Sequence, residues 1–103
     1  MRIGFAIAAA LVGAPLTTLA QTADALYVRT LAATCAQCHG TDGHTVAGSA
    51  VPGLAGMPRD YMVQQLQAFR NGSRPATVMH QIARGFSEPQ MQALAGYFAA
   101  QPK

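Results

Sequence analysis

Apolar positions recur at helical spacing along this chain, and the segments between them are polar and rich in Gly, Pro, Ser and Thr. After an apolar run over 5–12, the first such stretch predicts a helix over 24–35. Asp24 is its N-cap, and Tyr27 or Val28 shares a face with Leu31. Gly40 follows as a candidate left-handed C-cap. Residues 41–56 carry no periodicity and predict a long loop, of the kind that usually serves a function inside a small domain. A second helix is predicted over 59–70, opened by Pro58, with Met62, Leu66 and Phe69 at i, i+4 and i+7 and with Asn71-Gly72 as its stop. A short helix over 78–84 is predicted behind Thr77 as its cap and before Gly85. The last runs from Ser87 to about Ala100. There Ser87 and Gln90 are spaced as a capping box, Pro89 sits in the first turn, and Met91, Leu94, Ala95 and Phe98 form the apolar face. The pattern predicts an all-α domain of about four helices, with the first and last packed on each other. No stretch alternates as a strand would.

Composition changes the picture at the N-terminus. Arg2, the apolar run 5–12 and the small residues Thr18 and Ala20 read as a secretory signal, residues 1–20, with cleavage after Ala20. The run is too short to span a bilayer and Pro15 follows it, although an uncleaved anchor is the competing reading. The remaining domain, 21–103, is small for a self-sufficient hydrophobic core, so a large apolar cofactor would help it fold. Removing Arg2 leaves six basic against four acidic side chains, and the arginines occur singly. So weak and dispersed a charge argues against nucleic acid or an anionic membrane surface as partner.

The candidate chemistry lies in Cys35-Ala36-Gln37-Cys38-His39, which reads C-x-x-C-H, the attachment pattern for one covalent haem c. The two thiols can add to the two haem vinyl groups, and the adjacent histidine can reach the iron. A disulfide across so small a loop would stabilise little. A thioredoxin-like pair expects a βαβ context. A zinc site would need His39, His44 or His80 to complete it, without a second closely spaced ligand pair. Haem is the favoured reading. For the opposite axial position Met79 is preferred over His80, and His80 over a vacancy. Met79 lies far along the chain from His39, after a proline turn. Met62 and Met91 sit in helix stripes, where packing is the default explanation, and Met57 is close to the His39 side. Arg70, Arg74 and Tyr61 are candidate donors to the propionates.

These motifs resemble the class I c-type cytochromes over essentially all of residues 21–103. In that family a backbone carbonyl in a P-x-L-x-G stretch orients the axial histidine. The resemblance therefore assigns that carbonyl to Pro52 and haem packing to Leu54, within Pro52-Gly53-Leu54-Ala55-Gly56. It implies His39 and Met79 as axial ligands and electron transfer as the activity, with no catalytic residue. The stretches ending FRNGSR and running SEPQMQALAGYF are similar to the cytochrome c4 and c553 group. Residues 76–87 are closer to the cytochrome subunit of flavocytochrome c sulfide dehydrogenase. That resemblance implies a periplasmic protein, an FAD-containing flavoprotein subunit as partner, other redox proteins downstream, and a role in sulfide oxidation. The rival it leaves is a mobile respiratory carrier.

Overall fold

A computed structural model describes residues 17–103, preceded by Gly4, Ala10 and Gly13. The expected signal core, 5–12, lies outside the described residues except for Ala10. Five α-helices follow in order: α1 Thr17–Ala33, α2 Ala36–His39, α3 Arg59–Asn71, α4 Met79–Arg84 and α5 Glu88–Ala99, with a 3-10 turn at Thr41–Gly43. Among the described residues there is no strand, and no helix is long and apolar enough to cross a membrane.

The first helix departs from expectation. It starts at Thr17, so Asp24 lies inside it and caps nothing. Between Thr17 and Asp24 there is no Gly or Pro, and alanine and leucine favour continuation, so nothing stops the helix at 24. It ends before the cysteines. Thr34 donates its hydroxyl to the Leu31 carbonyl (2.7 Å) and the Cys35 amide donates to Ala32 (3.0 Å), closing the helix in a turn. Cys35 then starts the separate short helix α2, which makes five helices where four were expected.

The other boundaries show which local signals suffice. Around α5 the capping box is complete: Gln90 N donates to Ser87 Oγ (3.3 Å) and Ser87 N to Gln90 Oε1 (2.9 Å). Helix α3 begins after Pro58 and ends at Gly72, whose φ of 83° and ψ of 2° give the left-handed stop. Helix α4 differs from expectation. Thr77 is one residue too early to cap it, and the N-cap is Val78, which has no side-chain acceptor to offer. Gly40 has positive φ but an extended ψ of 161°, so it is not a left-handed cap. It redirects the chain into the 3-10 turn.

Helix α5 is the centre of the packing, with α1 on one side and α3 on the other, and α4 lies against α3. The core draws Ala32 from α1, Met62, Val63 and Leu66 from α3, Ala83 from α4, and Met91, Leu94, Ala95 and Phe98 from α5. The expected contact of first and last helices is present, with Leu31 packed at the edge of this cluster. Tyr27 is exposed and touches α5 through its hydroxyl, which accepts from Gln90 Nε2 (3.2 Å). Phe69 is only half-buried, because it turns toward a cavity on the other side of the core.

Candidate functional site

That cavity, of about 500 Å³, lies between two walls. One wall carries Cys35, Cys38 and His39 from the α2 turn together with Pro52 and Leu54 from the long loop. The other carries Met79, Val78 and Ile82 from α4 and its approach. Met62, Leu66, Leu94 and Phe98 close the back. The six residues expected to attach, ligate or pack on the cofactor (Cys35, Cys38, His39, Pro52, Leu54 and Met79) therefore border one space.

The local geometry follows from the chain. His39 N donates to the Cys35 carbonyl (2.9 Å), so one helical turn presents both sulfurs and the imidazole together. His39 Nδ1 donates to the Pro52 carbonyl (2.7 Å), the bond expected of this loop. With Nδ1 carrying the proton, Nε2 keeps a free lone pair. The loop is itself anchored, because the Gly43 carbonyl accepts from Leu54 N (2.9 Å) and Ala55 N (3.2 Å), and Gly56 N donates to Phe98 O (2.9 Å). The two cysteines are not joined to each other in a disulfide. Burial pushes the Cys35 thiol above its ordinary value, and the Thr34 hydroxyl opposes this.

Competing ligands sort themselves by position. His80 does not border the cavity, and its Nδ1 is buried without a hydrogen-bond partner. His44 is turned to the C-terminus, with Nε2 2.6 Å from the Pro102 carbonyl. Neither is grouped with the cysteines as a zinc site would require. Met91 is wholly buried in the core, whereas Met57 and Met62 reach the cavity beside Met79. Of the expected propionate donors, Arg74 and Tyr61 line the cavity. Arg70 does not, since it is committed to an ion pair with Glu88. Arg74 lies over the Phe69 ring, 4.5 Å from its centroid, and donates to Gln65.

Gln65, Val78 and Ile82 also line the cavity, and Asp42 and Tyr97 form a pair outside it; no local pattern singles these residues out for the site. Tyr97 donates its hydroxyl to Asp42 Oδ1. A tyrosine beside Phe98 on an apolar helix face signals only a hydrogen-bond partner, because a half-buried phenol normally finds an acceptor.

Two thiols and a histidine on one turn, beside an apolar cavity that three methionines also line, are donors of the kind that a covalent haem requires. Residues 25–101 match the family description "Cytochrome c". The chain belongs to the cytochrome c family. It is an electron-transfer protein, and the family's cofactor is covalently bound haem c. Among relatives, the cytochrome subunit of sulfide dehydrogenase from Chlorobaculum tepidum is 40% identical over 68 residues, covering 66% of this chain and 60% of that protein. The thiosulfate dehydrogenase electron acceptor of Stutzerimonas stutzeri is also 40% identical over 68 residues, but these are 32% of its length. The solved structure of Acidithiobacillus ferrooxidans cytochrome c4 superposes with a TM-score of 0.60 at 41% identity, covering 64% of this chain and 37% of that one. The chain thus spans less than two thirds of each of these relatives.

Proposed function

We propose that this cytochrome is the electron-accepting haem subunit of a sulfide-oxidising flavoprotein, exported to the periplasm. The observation that carries the reading is the 40% identity to a sulfide dehydrogenase cytochrome subunit over 60% of that protein's length. Cleavage after Ala20 would remove the first turn of α1 and leave the haem-binding turn untouched.

In this reading Cys35 and Cys38 form the two thioether bonds. His39 and Met79 would supply the nitrogen and sulfur that hold the iron. The Pro52 carbonyl orients the imidazole, and Leu54 packs on the macrocycle. The bound haem supplies reversible one-electron chemistry. The chain's part is to hold both axial donors in place, keep water from the apolar back wall, and leave an edge near Tyr61 and Arg74 for exchange with partners. Methionine and histidine ligation would raise the potential, which suits an acceptor of electrons from a reduced flavin. A flavoprotein partner would oxidise sulfide, and this chain would receive the electrons singly. No residue here acts as nucleophile, acid or base.

A mobile carrier is the second reading, favoured by the match to cytochrome c4. Size-exclusion chromatography of native extract separates the two. A subunit gives haem and flavin in one peak that persists at raised salt, and sulfide reduces its haem. A carrier elutes alone, and that result would replace the first reading. The ligand assignment has its own test. Met79→Ala should abolish the near-infrared sulfur-to-iron band of the oxidised protein and lower its potential. An unchanged band would move the ligand to Met57 or Met62.

A further inference from the structure

We infer that Tyr97 is a positioning residue for the His39 imidazole, acting through Asp42 and the Gly43 carbonyl. The inference rests on His39 being an axial ligand. The Pro52 carbonyl that holds His39 Nδ1 belongs to a loop with no regular secondary structure of its own. What fixes that loop two residues later is the Gly43 carbonyl, which accepts from both Leu54 N and Ala55 N. The direction of the Gly43 carbonyl is set by the 3-10 turn Thr41–Gly43, and that turn is locally unfavourable. Asp42 is the one non-glycine residue with positive φ (54°) among the described residues. A side chain in the left-handed region needs outside support, and Asp42 receives it from the Tyr97 hydroxyl.

The supporting bond is well placed to be stiff. Tyr97 is half-buried and meets Phe98 edge to face, with ring centroids 5.4 Å apart and planes at 89°. The phenol direction is therefore set by α5. Its acceptor is a carboxylate, which makes the bond stronger than one between neutral groups. A phenylalanine would fill the same ring volume, so what the hydroxyl adds is control of the turn. The route runs from α5 through Tyr97, Asp42, Gly43 and Leu54 to Pro52, and so to the imidazole. Partners of this kind orient a ligating histidine and tune its basicity.

The test compares Tyr97→Phe and Asp42→Asn in the haem-loaded protein. Amide exchange at Leu54 and Ala55, exchange of His39 Nδ1–H, and the haem-methyl shift pattern of the oxidised protein are read by NMR. Tyr97→Phe should speed exchange at those three sites about ten-fold, as loss of a hydrogen bond to a charged group implies, and should change the methyl pattern. Amides of α3 and α4 should stay at their original rates. Asp42→Asn tolerates positive φ and keeps a neutral acceptor for the phenol, so it should fall between the parent and Tyr97→Phe, at about three-fold faster exchange. Unchanged exchange in Tyr97→Phe, equal acceleration in every helix, or Asp42→Asn matching Tyr97→Phe would overturn the inference. Should the parent protein show no iron-shifted His39 Nδ1–H, the axial assignment itself fails. An iron-shifted signal that Tyr97→Phe leaves alone removes only the role given to Tyr97.

Discussion

The two walls of the haem cavity are held in different ways. On the His39 wall, backbone groups do the fastening: Gly43 O to Leu54 N and Ala55 N, Gly56 N to Phe98 O, and Pro52 O to the imidazole. On the Met79 wall, α4 is six residues long, has no side-chain N-cap and ends at Gly85 without a left-handed turn. It is placed by Ala83, which is fully buried, and by the clasp of Arg70 and Gln67 on Glu88, which joins the chain before and after the segment 72–87. A histidine must be aimed about its ring plane, and directional bonds provide that. On the proposed ligand assignment, the Met79 thioether on its flexible stem needs only to be pressed into reach, and packing provides that.

The largest expected effect comes from adding one methyl group on each side. At Gly40, φ is +81° and a Cβ would lie 1.9 Å from the His44 carbonyl oxygen, a backbone atom. Gly40→Ala should therefore cost more than about 3 kcal/mol, from conformational strain and overlap together. Such a loss is a large part of a small domain's stability. At Gly85 on the other wall, φ is −78° and the nearest atom to an added Cβ is the Ile82 carbonyl oxygen at 3.3 Å. Gly85→Ala should change stability by no more than about 1 kcal/mol in either direction. Urea unfolding of the two holoproteins measures both. Similar losses in the two variants would mean the walls are equally rigid.

The contrast was half visible in the sequence. The C-x-x-C-H turn, the Pro52 loop, the Gly72 stop and the Ser87 capping box are local patterns, each complete within a few residues, and each stands where the pattern put it. The Met62–Leu66 and Met91–Phe98 faces were legible for the same reason, since periodicity alone selects them. What could not be read depends on partners far along the chain. Arg70 looked like a propionate donor until the fold brought Glu88 beside it. Asp42 meets Tyr97 across 55 residues, and no short pattern announces that. The start of α1 and the cap of α4 differ from expectation because Asp24 and Thr77 permit a cap without requiring one. Asp24 and Thr77 can cap helices, but the chain at each place does not turn there.

The smallest expected effect is in pH, and it separates the walls by sign. Tyr97 has its pKa raised above the ordinary 10.0, first by the hydrogen bond it gives Asp42, then by burial and by the Asp42 charge, with Arg29 opposing. A proton held more tightly in the folded state contributes stability that is full below 10.0 and is lost as pH rises through the raised value. Glu88 shifts the other way. The hydrogen bond from Gln67 and then that from Arg70 lower its pKa below the ordinary 4.5; desolvation opposes them, and the Arg70 charge adds a smaller lowering. Its contribution is full above 4.5 and disappears as pH falls through the lowered value. The Met79 wall should thus loosen first in acid and the His39 wall first in alkali. Because the Arg70–Glu88 pair is open to solvent, salt should weaken the acid effect. Glu88→Gln should flatten the acid limb of stability against pH and leave the alkaline limb alone, while Tyr97→Phe should do the reverse. Following the sulfur-to-iron band and the Leu54 amide through both titrations reads the two walls separately. If both signals move together at either end of the range, the walls form one cooperative unit and their different fastenings do not make them independent.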